Sequence, residues 1–526
     1  MALFFLYAAV FIYRSSFEIF GERYFSLFDD AMISMIYAKN FAHGYGFVWN
    51  PGGERVEGFT NPMWVLFMAL IHLLPVAQSK ISIFIQISGG LFLLASLYYV
   101  RKIALFISEG APEVSSGAVL LTAFYYPLIY WSLMGMEVSI LILAMSFIIW
   151  KTIQYLANDI SPLLIYLGLG VCTLIRIDMA VPFLGVWMYI MLCKPTQRKK
   201  NLIYGLLIFT IFLSFQTAFR MIYFGEIFPN TYYLKMTGYP VYLRIIRGLY
   251  VLLQFIGKFN FILFLLPFGV LAYKRDRYKG LLAWVIIIQL LYSIYVGGDS
   301  WEVWGGSNRF ISFVMPLFFI LFFDSFVMII KPVLETIESA KRLPKKVRAF
   351  SLAYAFPLLF ILAIIQFNGF SLSEFTLLAL PYQVTYNKEM AERAEMIRDL
   401  TSEDATVAVT WAGAIPYFSN RTAVDILGKC DRHISRMEAK ISTKLSRFTD
   451  FTPGHSKWDY DYSIGRKKPD VITHLWGGGR EDAWPYLYKN YHYMNIAANE
   501  EENAIYDFWF RKNSENIAWN LLPEVE

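Results

Sequence analysis

The sequence predicts a polytopic α-helical membrane protein with a C-terminal α/β domain, on three observations. Of 526 residues, 57% are hydrophobic and only 17% charged, which lies outside the range of a soluble globular domain. About eleven apolar segments, each near the ~20 residues that cross a hydrocarbon core while satisfying their own backbone hydrogen bonds, can be placed before Gly369. From Phe370 onward the long apolar runs give way to short strand-type runs separated by loops. The expected division is therefore a membrane domain over 1–369 and a soluble domain over 370–526.

The formal charge of +6 does not point to nucleic acid, because Lys and Arg cluster in the short connections between apolar runs. Such clusters are topology signals. The three cysteines, Cys172, Cys193 and Cys430, offer neither a disulfide framework nor zinc spacing. His455 and His474 are too scattered in sequence to predict a metal site.

Taken in order, Ala2 to Tyr13 is apolar without a basic leader or a small-residue cleavage site, and reads as a retained first helix. The polar stretch 15–80 follows as the first outer loop. Within it Met63 to Ala77 is short for a span and holds His72 and Pro75, so it is expected to lie along the interface. With Ile81 to Val100 as the second span, basic clusters recur on alternate connections: Arg101 and Lys102, then Lys151, then Lys194 to Lys200, then Lys274 to Lys279, then Lys331 to Arg348. This places the N-terminus inside and the C-terminal domain outside. The outer face then collects the polar clusters that hydropathy does not explain: Asp29 and Asp30, Gly135-Met136-Glu137, Arg176-Ile177-Asp178, Tyr223 to Gly238, and Gly297 to Arg309. In the soluble part, Asn387 to Leu400 reads as a helix, and Ala405 to Trp411, Arg421 to Leu427 and Pro469 to Trp476 read as strands. Gly477 to Gly479 lack a dinucleotide fingerprint, and no internal repeat is evident.

Ionisable groups gathered at span ends mark a site at the membrane surface. Adjacent carboxylates on a helix point about 100° apart, so one faces a pocket while the other supports it or holds a cation. Arg176, Lys235 and Arg309 are candidate holders of a leaving phosphate. Trp49, Trp64, Tyr232, Tyr233, Trp301 and Trp304 are candidate sugar platforms. Tyr37, Asn40, Glu57, Asn61, Glu137, Asn230 and Asp299 complete the candidate substrate contacts. Each signal has an ordinary counterpart, since acids favour helix starts and Trp and Tyr favour membrane interfaces. Their shared face is what combines them into glycosyl transfer from a lipid phosphate.

The stretch FDDAMISMIYAKNFAHGYGFVWNPGGERVEGFTNPMW from Phe28 resembles the first outer loop of GT-C glycosyltransferases, most nearly the terminal arabinofuranosyltransferases of mycobacterial cell-wall synthesis and their relatives. The resemblance continues through GMEV, RID, YFGEIFPNTYYLK, GGDSW with Arg309, WAGAIPYFSNRTAVDILG, PGHSK and KKPDVITHLW. It implies a GT-C fold, an inverting mechanism, polyprenyl-phosphate arabinofuranose or a related lipid-linked sugar as donor, and Asp29 as the base. In GGDSWEVWGGSNRF the spacer before Arg309 is longer than in those relatives, and the chain lacks their Ala-rich composition, so the acceptor is expected to be an envelope glycan or glycoprotein without further identity. Two alternatives stand beside this reading: a GT-C transferase of a different lipid-linked sugar, and a transporter of such lipids. A transporter would carry midplane charges and repeated halves, neither of which is read here.

Overall fold

The computed structural model describes residues 2–158, 160–302, 308–339, 345–441, 444–499 and 504–523. Trp304, Lys341 and Arg342 lie outside the described residues. Backbone contacts divide the chain into two units. The first comprises 1–11, 87–215 and 245–381, and the second 12–86, 216–244 and 382–526. Residues 382–526 thus share a unit with the whole of the stretch 15–80.

Among the described residues six helices are long and apolar enough to span a membrane: Gln78–Ile107, Val138–Ala157, Pro195–Phe224, Arg277–Val296, Met315–Thr336 and Tyr354–Phe375. Two bent pairs, Pro112–Ala123 with Tyr126–Leu133 at 46° and Asn230–Met236 with Val241–Phe259 at 86°, bring the number to at most eight if each pair is one span. The chain is a polytopic membrane protein, but the expected count of about eleven is not reached among the described residues. The difference lies in short helices. Ala2–Arg14, Leu163–Ile175 and Phe261–Tyr273 have 13 residues each, about 20 Å at the helical rise against a core of about 30 Å. The expected interfacial segment is helical over Pro62–His72, 11 residues, and is likewise too short to cross.

In the first unit, helix ends follow their sequence signals. Asp276 caps Arg277–Val296 by accepting from the amides of Tyr278 and Lys279, and Gly297 ends the helix in the left-handed region at φ 84°. Small residues let helices approach: a Cβ on Gly89 would collide with the Ser132 carbonyl.

The second unit opens with a hairpin of β1 (Ser16–Ile19) and β2 (Glu22–Phe25), turned by Phe20 and Gly21 at positive φ. Helix α1 (Asp29–Ala42) and helix α2 (Pro62–His72) pack together after it. Helix α3 (Asn230–Met236) and helix α4 (Val384–Leu400) follow in chain order. The C-terminal segment builds a five-stranded sheet from β3 (Thr406–Val409), β4 (Thr422–Asp425), β5 (Val471–Ile472), β6 (Tyr491–Asn499) and β7 (Ala504–Arg511). Its order is β4-β3-β5-β7-β6, parallel across β4, β3 and β5 and antiparallel at β7 and β6. Three strands were expected, and the β6–β7 hairpin adds two. One face buries Ala408, Ile426, Tyr460, Ile472 and Leu487 in a common core. The short helix α5 (Ala414–Ser419) follows β3 and is fully buried.

Candidate functional site

Asp29 and Asp30 open α1 directly after the β1–β2 hairpin, and their surroundings differ. Asp29 is 5% exposed. Its Oδ1 accepts from the amides of Gly413 and Ala414 at 3.1 and 3.2 Å, and its Oδ2 is buried with no hydrogen-bond partner among the described residues. Gly413 is required at this approach, because a Cβ there would stand 2.5 Å from Asp29 Oδ1 and 2.8 Å from Met32 Cβ. Burial raises the Asp29 carboxyl to about 6; the Asp30 charge adds to the rise, while Lys429 and the two amides oppose it.

Asp30 is ion-paired with the Lys429 ammonium. Burial works against the Lys429 charge, but Asp30 and then Asp29 outweigh it and hold the ammonium above its ordinary range. The loop that presents Lys429 is built from within. Asp425, at the end of β4, accepts from the amides of Leu427, Gly428 and Cys430. Asn230 then donates to the carbonyls of Gly428 and Lys429, both at 2.9 Å. Its own Oδ1 accepts from Ser435 at 2.7 Å. Asn230 is therefore a brace for the lysine loop, with its polar atoms engaged.

Lys235, on α3, lies against the Pro453–His455 turn, where a Cβ on Gly454 would meet its Cε at 3.0 Å. His455 in that turn is buried and lowered to about 3, first by burial and then by the Lys429 and Lys235 charges. It is neutral at physiological pH. Two lysines, a neutral histidine and two carboxylates thus share one neighbourhood. Lys429 and His455 carried no recognisable local pattern in the sequence. Lys429 stands just beyond the WAGAIPYFSNRTAVDILG motif, and His455 lies within PGHSK.

Other expected contacts are structural. The Tyr37 hydroxyl donates to Val56 O at 2.7 Å and accepts from Gly58 N at 3.1 Å. Gly58 in turn must be small, because a Cβ would stand 2.7 Å from Cys430 Sγ. Asn40 donates to the carbonyls of Val48 and Trp49, and Trp49 Nε1 donates to Ala412 O at 3.1 Å. Asn61 accepts from Ser34 at 3.2 Å. Trp64 is 1% exposed and stacked on Phe67. Glu57 is buried on Arg220, and its carbonyl accepts from Asn230 N. Tyr232 stacks on Phe228, and Tyr233 lies under the Arg436 guanidinium at 4.3 Å. These rings and amides lock the outer loop around the carboxylates.

The remaining candidates belong to the first unit and form two neutralised clusters. Arg176 pairs with Asp178 at 2.6 Å and Glu137 at 3.3 Å. Arg309 makes a bidentate pair with Asp299 at 2.7 and 2.8 Å and lies over the Trp131 ring at 5.2 Å. Trp301 is buried beside this segment. A divalent cation finds little to hold it: among the described residues no group of three or more His, Cys, Asp or Glu converges, and Asp30 is already engaged by Lys429.

Comparison with known proteins addresses the fold. The structure is similar to ArnT from Cupriavidus metallidurans bound to undecaprenyl phosphate, with 14% identity, a TM-score of 0.58 and 97% of each chain covered. The apo state of the same protein matches at 13% identity and 0.58, covering 97% of this chain and 96% of that one. The Archaeoglobus fulgidus oligosaccharyltransferase tethered with an acceptor peptide matches at 10% identity and 0.50, covering 99% of this chain and 74% of that one. At these identities the likeness is one of fold, and the chain is a membrane protein of the GT-C fold. Residues 379–511 match a family described as a domain of unknown function, DUF8728. A search of the curated proteins finds no match.

Proposed function

We propose that the chain is an inverting glycosyltransferase that moves a sugar, arabinofuranose on the resemblance of its first outer loop, from a polyprenyl-phosphate donor to a hydroxyl of an envelope glycan or glycoprotein. The observation that carries this reading is the asymmetry of the carboxylate pair. Asp30 is neutralised by Lys429, whereas Asp29 keeps one buried oxygen unpartnered and its other oxygen fixed by two amides. A carboxylate with one oxygen fixed by amides, the other buried without a hydrogen-bond partner, and a raised pKa suits a general base. The fold likeness supports the lipid-linked part, since one similar structure is bound to undecaprenyl phosphate and another is tethered with an acceptor peptide.

In this reading Asp29 Oδ2 takes the proton from the acceptor hydroxyl as that oxygen attacks the anomeric carbon. The bond from that carbon to the phosphate oxygen breaks on the opposite side, and the polyprenyl phosphate leaves with both electrons. The configuration inverts. Lys235 and Lys429 are the nearby cations that offset the phosphate charge, with Arg309 and Arg176 as further candidates. Those two arginines already carry carboxylate partners, so a phosphate would compete for them. The reaction takes place on the outer face, with the N-terminus inside.

Asp29→Asn tests the assignment, because it preserves shape and removes the base. Turnover is expected to fall by about 10² to 10⁴, with the affinity for polyprenyl phosphate retained. Normal turnover in this variant would remove Asp29 from the mechanism.

A further inference from the structure

A cleft of about 1050 Å³ opens along the far half of α1. It exceeds the usual range of about 300 to 1,000 Å³ for small-molecule pockets. Its floor is a connected polar network. Lys39 donates to Tyr417 O at 3.1 Å and Asn420 Oδ1 at 2.6 Å. The Asn420 amide donates to Gln78 at 3.4 Å, and the His72 ring meets the Tyr417 hydroxyl at 3.0 Å. His43 is exposed at the mouth, where its Nδ1 donates to Lys39 O at 2.7 Å, which leaves Nε2 as an acceptor in the neutral ring. Tyr45, also lining the cleft, is 60% exposed.

Mixed donors and acceptors beside an open aromatic ring match a polyhydroxylated ligand better than an apolar one. The position of the cleft adds a constraint. Lys39 is ten residues beyond Asp29 on the same helix, which at the helical rise separates them by about 15 Å. A group held in the cleft is therefore too far from Asp29 to be the group that reacts.

We propose that this cleft binds a distal stretch of an oligosaccharide acceptor, so that the substrate is an extended glycan and not a single sugar or an amino-acid side chain. The inference rests on the transferase reading above. Distant contacts of this kind supply binding that positions the reacting end. Tyr45 and His43 form the open lip, and their truncation leaves the floor network intact.

The test uses the full chain in detergent with labelled arabinofuranose, glucose and glucuronate oligosaccharides of graded length. At least one neutral series is expected to bind more tightly as it lengthens. The paired changes His43→Ala and Tyr45→Ala should weaken the longest member by about tenfold or more while leaving a monosaccharide unaffected. Three results would overturn the proposal: no series binding, binding equal in the variant, or binding confined to glucuronates and displaced by inorganic phosphate. Polyprenyl-phosphate affinity and the Asp29→Asn turnover are measured separately, so failure of the cleft is distinguishable from failure of the transferase reading.

Discussion

At the residue scale, Asp29 shows how burial sets chemistry. A carboxyl held at about 6 is mostly ionised at neutral pH yet basic enough to take a proton. If it is the base, transfer should be lost as pH falls through about 6, because the protonated form cannot accept. Lys429 lowers this value, so Lys429→Met should move the acidic limb of the pH–rate profile upward. An unmoved limb would mean that another group titrates there. The stability sign runs the other way. A carboxyl raised from 3.8 to about 6 on folding contributes most below 3.8, and that contribution is lost as pH rises through about 6. Loss of the charge in Asp29→Asn is therefore consistent with undiminished thermal stability at pH 7.

At the element scale, the carboxylate centre depends on two helix starts meeting. The first turn of α1 brings Asp29, and the start of α5 brings the amides of Gly413 and Ala414. Gly413→Ala puts a methyl group where Asp29 Oδ1 and the Met32 side chain already are. Something must shift, and a displacement of even about 1 Å in a reacting group costs on the order of 10² in rate. The variant should therefore fold and bind lipid but turn over poorly; full activity would show that the contact between these elements is not needed.

The same junction explains what could be read without coordinates. Adjacent acids at the boundary of an apolar run stand out from their background, and Asp29 and Asp30 were legible for that reason. Lys429 was not, because a lone lysine in a polar segment looks like a solvated one until Asp425 and Asn230 bend its loop inward. Tyr37, Asn40 and Asn230 stood out as polar residues, but Tyr37 and Asn40 hydrogen-bond to backbone, and Asn230 to backbone carbonyls and the Ser435 hydroxyl. The strands β6 and β7 went unread, although Tyr493 and Trp509 pair directly across them. The expected count of about eleven spans exceeds the six to eight candidates among the described residues because hydropathy registers apolar content more readily than helix length, and 13-residue helices such as Leu163–Ile175 are rich in the former.

At the scale of the whole molecule, the alternation of basic clusters is the basis for proposing that residues 370–526 lie outside. Single cysteines introduced between Asn387 and Asn420, in a variant lacking the native three, should react with a membrane-impermeant reagent applied to intact cells. Labelling of that region only after the membrane is opened would reverse the topology and remove the outer-face assignment of the site. The two arginine clusters of the first unit carry their own counter-charges. Arg309 with Asp299 and Arg176 with Asp178 and Glu137 are buried pairs whose halves are costly to separate.

The ion pair between Asp30 and Lys429 joins residues 399 positions apart. During synthesis the first partner emerges early and waits for most of the chain to follow before its counter-charge exists. Until then the acidic pair has neither its lysine nor the amides of Gly413 and Ala414, and a buried carboxylate without them is unfavourable. A ribosome that stops short therefore releases a product with membrane helices but no assembled carboxylate–lysine centre, and contacts this remote in sequence make completion of the centre a late event in folding.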